Sequence, residues 1–246
     1  MKRTGKTSKV DIITDLGVFR HVIINTEWGA FGEAGELDFV RTKWDKEVDE
    51  SSLNPGKQIF EKMISGMYMG EIVRLLVVDM IDEGLMLVNQ QTQGFRIPGS
   101  FPTKFLSEIE ADPVGDFERC RNVMFSLGLV GVGEDDLSAM RYICECVSRR
   151  AAFMCAAGIT ALLKKMDYKD TTIAVDGSLF RHHPHFHNVM KSRVTQLMGV
   201  EYKFDMTLSE DGSGRGAALV AAVLQSSKEK PFQTISRGIL DMCSIM

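Results

Sequence analysis

The sequence predicts an α/β fold, and three observations carry the prediction. Two β-branched runs, TTIAV at 171–175 and VEYKFDMTL at 200–208, each lead into an Asp-Gly-Ser turn (Asp176–Ser178 and Asp211–Ser213). Apolar residues at helical spacing fill most of the chain before them, and the second turn runs into a further helical stretch. A fold that alternates strands with helices collects ligands beyond the C-terminal strand ends, where both turns fall.

The elements follow in order. Residues 9–32, KVDIITDLGVFRHVIINTEWGAFG, read as a β-hairpin around Asp-Leu-Gly with a glycine-rich exit. Leu37, Val40, Trp44 and Val48 then share one helical face, and Ile59, Phe60, Met63, Ile64 and Met67 form a second stripe. Asn54 and Pro55 suit an N-cap and first helical position there. The stripe continues through Ile72, Leu75, Leu76 and Met80 to Gly84; Gly66 and Gly70 interrupt it, and a break or a close backbone approach is expected near Gly66.

Residues 89–102, NQQTQGFRIPGSFP, are polar and turn-rich and read as a surface loop, followed by helices at TKFLSEIEAD and DFERCRNVMFSLGL. Asp135 or Asp136 is expected to cap a long helix running through SAMRYICECVSRRAAFMCAAGITALLKKM. The two strand-and-turn units come after it, and the tail from Gln225 closes the chain.

Composition excludes several classes. With 246 residues, 44% hydrophobic and 25% charged, the chain suits a globular core rather than a disordered or fibrous protein. A net charge of −4 offers no basic excess for nucleic acid, and neither a signal peptide nor a membrane span is expected. The five cysteines lack CxxC spacing, which predicts reduced thiols and a cytoplasmic location. GKTS at 5–8 lacks the upstream glycine of a P-loop.

The chemical motifs each have two readings. The glycines of GSGRG bare backbone N–H groups at a helix start, which suits a phosphate but equally suits a strand-to-helix turn. Asp176 can position a metal-bound water and Ser178 can donate to a phosphate oxygen, or the pair can simply build a turn. His182, His183, His185 and His187 invite a metal, yet their spacing fits no single helical face, so an exposed helix start is expected and no metal site is assigned.

Taken together, the motifs resemble a known family. INTEWGAFG at 24–32 resembles the sugar-binding segment of eukaryotic hexokinases and glucokinases; SLNPGKQIFEKMISGMYMGEIVRLLV at 52–77 resembles the block that follows it. IAVDGSLFRHHP at 173–184 is similar to the second phosphate motif, and LSEDGSGRGAALVAAV at 208–223 to the adenosine motif. The likeness holds in order and spacing from about residue 22 to 224.

The resemblance implies the large lobe of the actin-like, ribonuclease-H-like ATPase fold over 22–225, with a divergent segment at 1–21 and a tail at 226–246. It implies ATP-dependent phosphorylation of glucose or a related hexose at the 6-hydroxyl, the entry to glycolysis, with ATP and Mg2+ as cofactors and hexose and ATP as the small-molecule partners. By resemblance Glu27, Gln58 and Glu61 face the sugar; carboxylates and amides suit hydroxyl recognition. By the same resemblance ATP contacts fall on Gly66, Met67, Thr103, Lys104, Phe105, Leu106, Ser107, Asp176, Gly177, Ser178, Gly212 and Gly214.

The sequence also departs from the family. It contains no DLGGTNFR-like first phosphate loop, no NDT-like segment bearing the general-base Asp and no GTGxNACY-like strand; TDLGVFR at 14–20 is only a faint echo of the first. The likeness is therefore to the C-terminal half of a catalytic unit with its small lobe missing, and no catalytic residue is assigned. A catalytically inactive fragment or pseudokinase that keeps part of the sugar and ATP surface is the alternative expectation.

Overall fold

A computed structural model describes residues 24–209, 211–229 and 244–245. The hairpin expected at 9–32 lies mostly outside the described residues, and its glycine-rich exit forms a 3-10 turn at Trp28–Ala30.

Helix α1 spans Lys43–Glu50, shorter than the 37–48 stripe suggests. Thr42 starts it: its hydroxyl accepts the Asp45 N–H while the Asp45 carboxylate accepts the Thr42 N–H, so two orphan donors are satisfied at once. Leu37 and Val40 lie in turns ahead of that cap. Helix α2 (Ile59–Ile64) starts later than Asn54-Pro55 implies. The Asp49 carboxylate takes the Gly56 N–H at 2.9 Å, and the Asn54 carbonyl takes the buried Lys62 ammonium at 2.7 Å, which holds 54–56 as a turn.

The break expected near Gly66 is present, because the chain turns at 65–68 before α3 (Met69–Asp82). A close backbone approach lies four residues on, at Gly70, where a Cβ would lie 2.2 Å from the Phe101 carbonyl oxygen and 2.6 Å from the Thr103 nitrogen. Residues 89–102 are more than a surface loop. They contain α4 (Gln93–Arg96), and Phe95 and Phe101 stack in the core at 6.1 Å between centroids. The polar residues around them masked that burial.

Helices α5 (Thr103–Glu110) and α6 (Glu118–Ser126) fall where the pattern puts them. Helix α7 (Glu134–Met166) has Gly133, not an aspartate, as its N-cap; Asp135 and Asp136 sit in its first turn, and Asp136 instead accepts the Leu87 N–H at 3.0 Å. The 33 residues of α7 are the axis of the core, presenting Leu137, Met140, Cys144, Val147, Ala151, Cys155 and Ile159 to α3, α5 and α6 and to α9 (Phe186–Met198). By length and composition α7 is the one helix among the described residues able to cross a membrane, but this buried stripe is what a core helix needs.

The sheet is parallel, with β1 (Asp170–Val175) between β2 (Lys203–Leu208) and the short β3 (Ser244–Ile245). Helices α8 (Ser178–His182) and α9 make the crossover from β1 to β2, and α10 (Gly212–Glu229) follows β2. Ile173 and Met206, register partners on β1 and β2, are the sheet's contribution to the core. Cys120, Cys144 and Cys155 are buried free thiols, and Cys146 is a partly exposed one.

Candidate functional site

Two surfaces gather most of the predicted site residues. The first is a cleft of about 580 Å3 lined by Gly66, Thr103, Lys104, Ser107 and Ser178, all from the expected ATP set, together with Glu108, Ala111, Arg119, Leu179 and His182. The walls come from three places in the chain. Helix α5 supplies one face, α8 the opposite face, and the turn after α2 brings in Gly66, where a Cβ would meet Leu179 at 3.2 Å. Thr103 is fixed by its hydroxyl, which accepts the Gly70 N–H at 2.8 Å.

The charge of this cleft runs against the net charge of the chain. Lys104, Arg119 and the imidazole of His182 line it, and Glu108, the one carboxylate among its described lining residues, lies 3.3 Å from Lys104. Arg119 is held there by α6, whose first amides, those of Arg119 and Cys120, donate to the buried Asp112 carboxylate at 3.1 and 3.0 Å. Cations with hydroxyls and a glycine opposite are what a polyphosphate requires.

Asp176, Gly177, Gly212 and Gly214 lie beyond the C-terminal ends of β1 and β2, next to Ser178. The two turns are joined: Asp176 Oδ2 accepts the Gly212 N–H at 3.1 Å, and the Val175 carbonyl accepts the Ser209 N–H at 2.9 Å. The Asp211 carboxylate lies over Gly214, accepting its N–H at 3.3 Å, and a Cβ there would stand 2.6 Å from both carboxylate oxygens.

Besides these four strand-end residues, which are not in the cleft's lining, three further expected ATP residues do not face the cleft. The Leu106 side chain is fully buried in the core, Phe105 packs edge-on against Phe101 at 5.6 Å, and Met67 projects outward at 77% exposure. Helical geometry explains the first two, because only residues on one face of α5, Thr103, Lys104 and Ser107 among them, can share a cleft.

The second surface carries Glu27, Gln58 and Glu61. Gly29 brings the 27–29 loop against the start of α2: a Cβ on it would stand 2.5 Å from Gln58 Oε1 and 3.6 Å from Glu61 Oε2. The Phe60 N–H donates to the Phe31 carbonyl at 3.1 Å, fastening loop to helix. Glu27 and Gln58 both have positive φ, 46° and 52°, a left-handed backbone that is costly for residues with a Cβ. Such strain persists where the surroundings over-determine it. Here Asn25 bonds the Glu27 carboxylate, and Glu33 accepts the Gln58 N–H at 3.0 Å. The Lys57 hydrogen bond and then that amide hold the Glu33 carboxyl below the ordinary range.

A larger groove of about 1210 Å3 adjoins Glu27, lined by Trp28, Phe31, Phe60, Phe153, Met154 and Leu162 among others. Of its polar lining, Arg150 binds Asp45 at 2.7 Å and Glu33 binds Lys57 at 2.8 Å, while Glu27 stands at its edge with the sugar-side residues. Most of its named lining is apolar, whereas cations and hydroxyls gather in the smaller cleft.

The histidines do not form an exposed helix start throughout, as their polarity suggests. His183 is buried at 5% exposure, His185 Nε2 donates to the Glu110 carbonyl at 3.1 Å, and the His187 ring lies on Phe180 at 4.5 Å. Their ring nitrogens therefore do not converge, and no group of three metal-ligating side chains occurs among the described residues. Arg119 and His182 are the cleft residues that sequence reasoning missed. Nothing local marks Arg119; its cue is Asp112 upstream, which only the fold turns into an anchor.

Comparison with known proteins agrees with this geometry. The family model described as Hexokinase matches residues 5–223. Mouse hexokinase HKDC1 is 45% identical over 206 residues, covering 81% of this chain and 22% of that protein. The hexokinase of Schistosoma mansoni is 42% identical over 202 residues, covering 82% of this chain and 45% of its own. The solved structure of the S. mansoni hexokinase complexed with glucose superposes with a TM-score of 0.77 at 41% identity, over 84% of this chain and 47% of that one. A second hexokinase crystal structure gives a TM-score of 0.72 at 29% identity. The chain thus spans less than half the length of these relatives, and its mixed α/β fold is that of a hexokinase lobe of the actin-like ATPase class. From motif order, fold and the match across most of its length, the chain belongs to the hexokinase family.

Proposed function

We propose that this chain supplies the nucleotide side and part of the sugar side of a kinase that transfers the γ-phosphoryl group of ATP to the 6-hydroxyl of glucose or a related hexose. The observation that carries the proposal is the cation-lined cleft between α5 and α8, which gathers Gly66, Thr103, Lys104, Ser107 and Ser178 from segments far apart in sequence. Lys104, Arg119 and His182 would hold phosphate oxygens, and the hydroxyls of Thr103, Ser107 and Ser178 would orient them. Asp176 keeps one oxygen on the Gly212 amide, and its other oxygen is suited to order a water on Mg2+. Bound MgATP supplies the phosphoryl group and neutralises its charge.

On the sugar side, Glu27, Gln58 and Glu61 would pair with hexose hydroxyls, a role supported by their resemblance and by the strained backbone that aims two of them. The glucose complex of the schistosome relative supports a hexose as ligand. The free cysteines support a reducing, cytoplasmic setting.

A second reading, binding without transfer, is favoured by the identity of the carboxylates. Glu108, the one lining the cleft among the described residues, is paired with Lys104, and Glu27 and Glu61 have binding roles by resemblance. Calorimetric titration with MgATP and with glucose, combined with a coupled turnover assay on the full chain and its Glu27→Ala variant, separates the readings. Turnover abolished in the variant supports transfer; MgATP binding with no turnover supports the second reading; no binding of either ligand rejects both.

A further inference from the structure

Two buried residues lie directly beneath the cleft and belong to neither of its walls. Glu110, on the last turn of α5, precedes the lining residue Ala111, and His183, which ends α8, follows the lining residue His182. Their side chains are 3% and 1% exposed, and Glu110 Oε1 lies 3.3 Å from His183 Nε2. Neither atom makes a hydrogen bond, and their 3.3 Å approach is a close buried polar contact without hydrogen-bond geometry.

The far side of the His183 ring fixes where its proton resides. Nδ1 accepts the amides of His185 and Phe186 at 3.2 and 3.1 Å, so it presents a lone pair, and the ring hydrogen is on Nε2, the nitrogen 3.3 Å from Glu110 Oε1. His185 adds a second tie from the same turn, donating from Nε2 to the Glu110 backbone carbonyl at 3.1 Å. One residue of α5 therefore meets the α8–α9 junction twice, by a close contact at its carboxylate and by a hydrogen bond at its carbonyl.

We propose that Glu110, His183 and His185 form a clamp that sets the separation of the α5 and α8 walls, and that they are positioning residues for the nucleotide. This rests on the assignment of the cleft to ATP. A buried polar group whose partner is removed is costly, so loss of the Glu110 acceptor forces the His183 N–H to seek water or another acceptor, which opens the junction. Lys104 and Ser107 on one wall and Ser178 and His182 on the other would then no longer address the same phosphates.

The clamp is testable in the ligand-free full chain. Spin labels at Lys104→Cys and His182→Cys, in a Cys146→Ser, Cys243→Ser background, report the width of the cleft by electron–electron dipolar spectroscopy. Glu110→Gln keeps an acceptor oxygen and is expected to keep a narrow distance distribution and MgATP affinity within about twofold of the parent in label-free protein. Glu110→Leu keeps the volume without the acceptor and is expected to lengthen and broaden the distribution and to weaken MgATP about tenfold. An unchanged distribution in folded Glu110→Leu protein, or equal changes in the Gln and Leu variants, overturns the clamp. Should Glu110→Leu not fold, His185→Ala carries the test, because His185 is exposed and only its tie to Glu110 is lost; an unchanged width there overturns it too. A parent that holds its cleft width but binds no MgATP rejects the ATP assignment and leaves the width measurement to decide the clamp.

Discussion

The Asp176 carboxylate accepts a hydrogen bond from the Gly212 amide at 3.1 Å, at a sequence separation of 36. Parallel pairing makes it possible: β1 and β2 run in register from Asp170 with Lys203 to Val175 with Leu208, so the turns that follow leave the sheet side by side. The similarity of the two Asp-Gly-Ser turns is thus a spatial fact, and one aspartate serves both.

That pairing separates charge from scaffolding. Asp176→Asn retains an acceptor for Gly212 and is expected to leave thermal stability within about 0.5 kcal/mol of the parent while weakening MgATP at least about tenfold, read by titration calorimetry. Asp176→Ala is expected to lose the tie as well and to raise amide exchange at the start of α10.

Gly70 is a packing constraint with a functional neighbour. Gly70→Ala drives a methyl group into the Phe101 carbonyl, a backbone atom that cannot swing away, and is expected to destabilise the chain by about 2–3 kcal/mol in urea unfolding. Because the Gly70 amide also fixes Thr103, MgATP affinity is expected to fall in the same variant.

The Arg150–Asp45 pair sets an acid limit. Burial pushes the Asp45 carboxyl up, but the hydrogen bonds and charge of Arg150, with Thr42, outweigh burial and hold it below its ordinary value. A carboxyl lowered by folding stabilises above its unfolded value, near pH 4, and that contribution fades as pH falls through the lower folded value. Asp45→Asn is therefore expected to flatten the loss of stability below about pH 4. Arg150→Ala, which leaves the buried carboxylate uncompensated, is expected to cost about 3 kcal/mol at pH 7, measured by denaturant unfolding.

Gln58 carries left-handed backbone strain at a position proposed to face the sugar. Gln58→Gly relieves the left-handed strain and is expected to change stability by less than about 1 kcal/mol, with relief partly offset by glycine's unfolded-state entropy. The same variant is expected to lose glucose affinity by about tenfold or more in calorimetry, because an amide that pairs with a hydroxyl is gone.

Much of this arrangement was legible in the sequence, for reasons that differ by residue. The two strand-and-turn units and the helical stripes of α3, α5 and α7 are local patterns, and local physics carried them into the fold. The Asn54-Pro55 start failed because Asp49 and Lys62 compete for the same backbone groups, a tertiary effect. Phe95 and Phe101 were hidden in a polar loop whose burial depends on α3 and α7. The cleft's first members were readable as motifs, whereas Arg119 was not, since its position is set by Asp112 through an N-terminal turn no pattern advertises. His183 shows the opposite error: a polar run suggested exposure, and the fold buries its imidazole beside the Glu110 carboxylate.

Helix α2 has a consequence beyond packing. It is six residues long, about 9 Å, with Gln58 and Glu61 at one end and Gly66 just past the other. The carboxylate-bearing surface and the cation-lined cleft are therefore held apart by a ruler whose only adjustable dimension is residue count. Adding or deleting one residue turns Glu61 by about 100° and shifts it by about 1.5 Å relative to Gly66. The length of α2 is thus a gauge for the spacing of the two surfaces and, on the proposed function, for the gap between hexose and nucleotide.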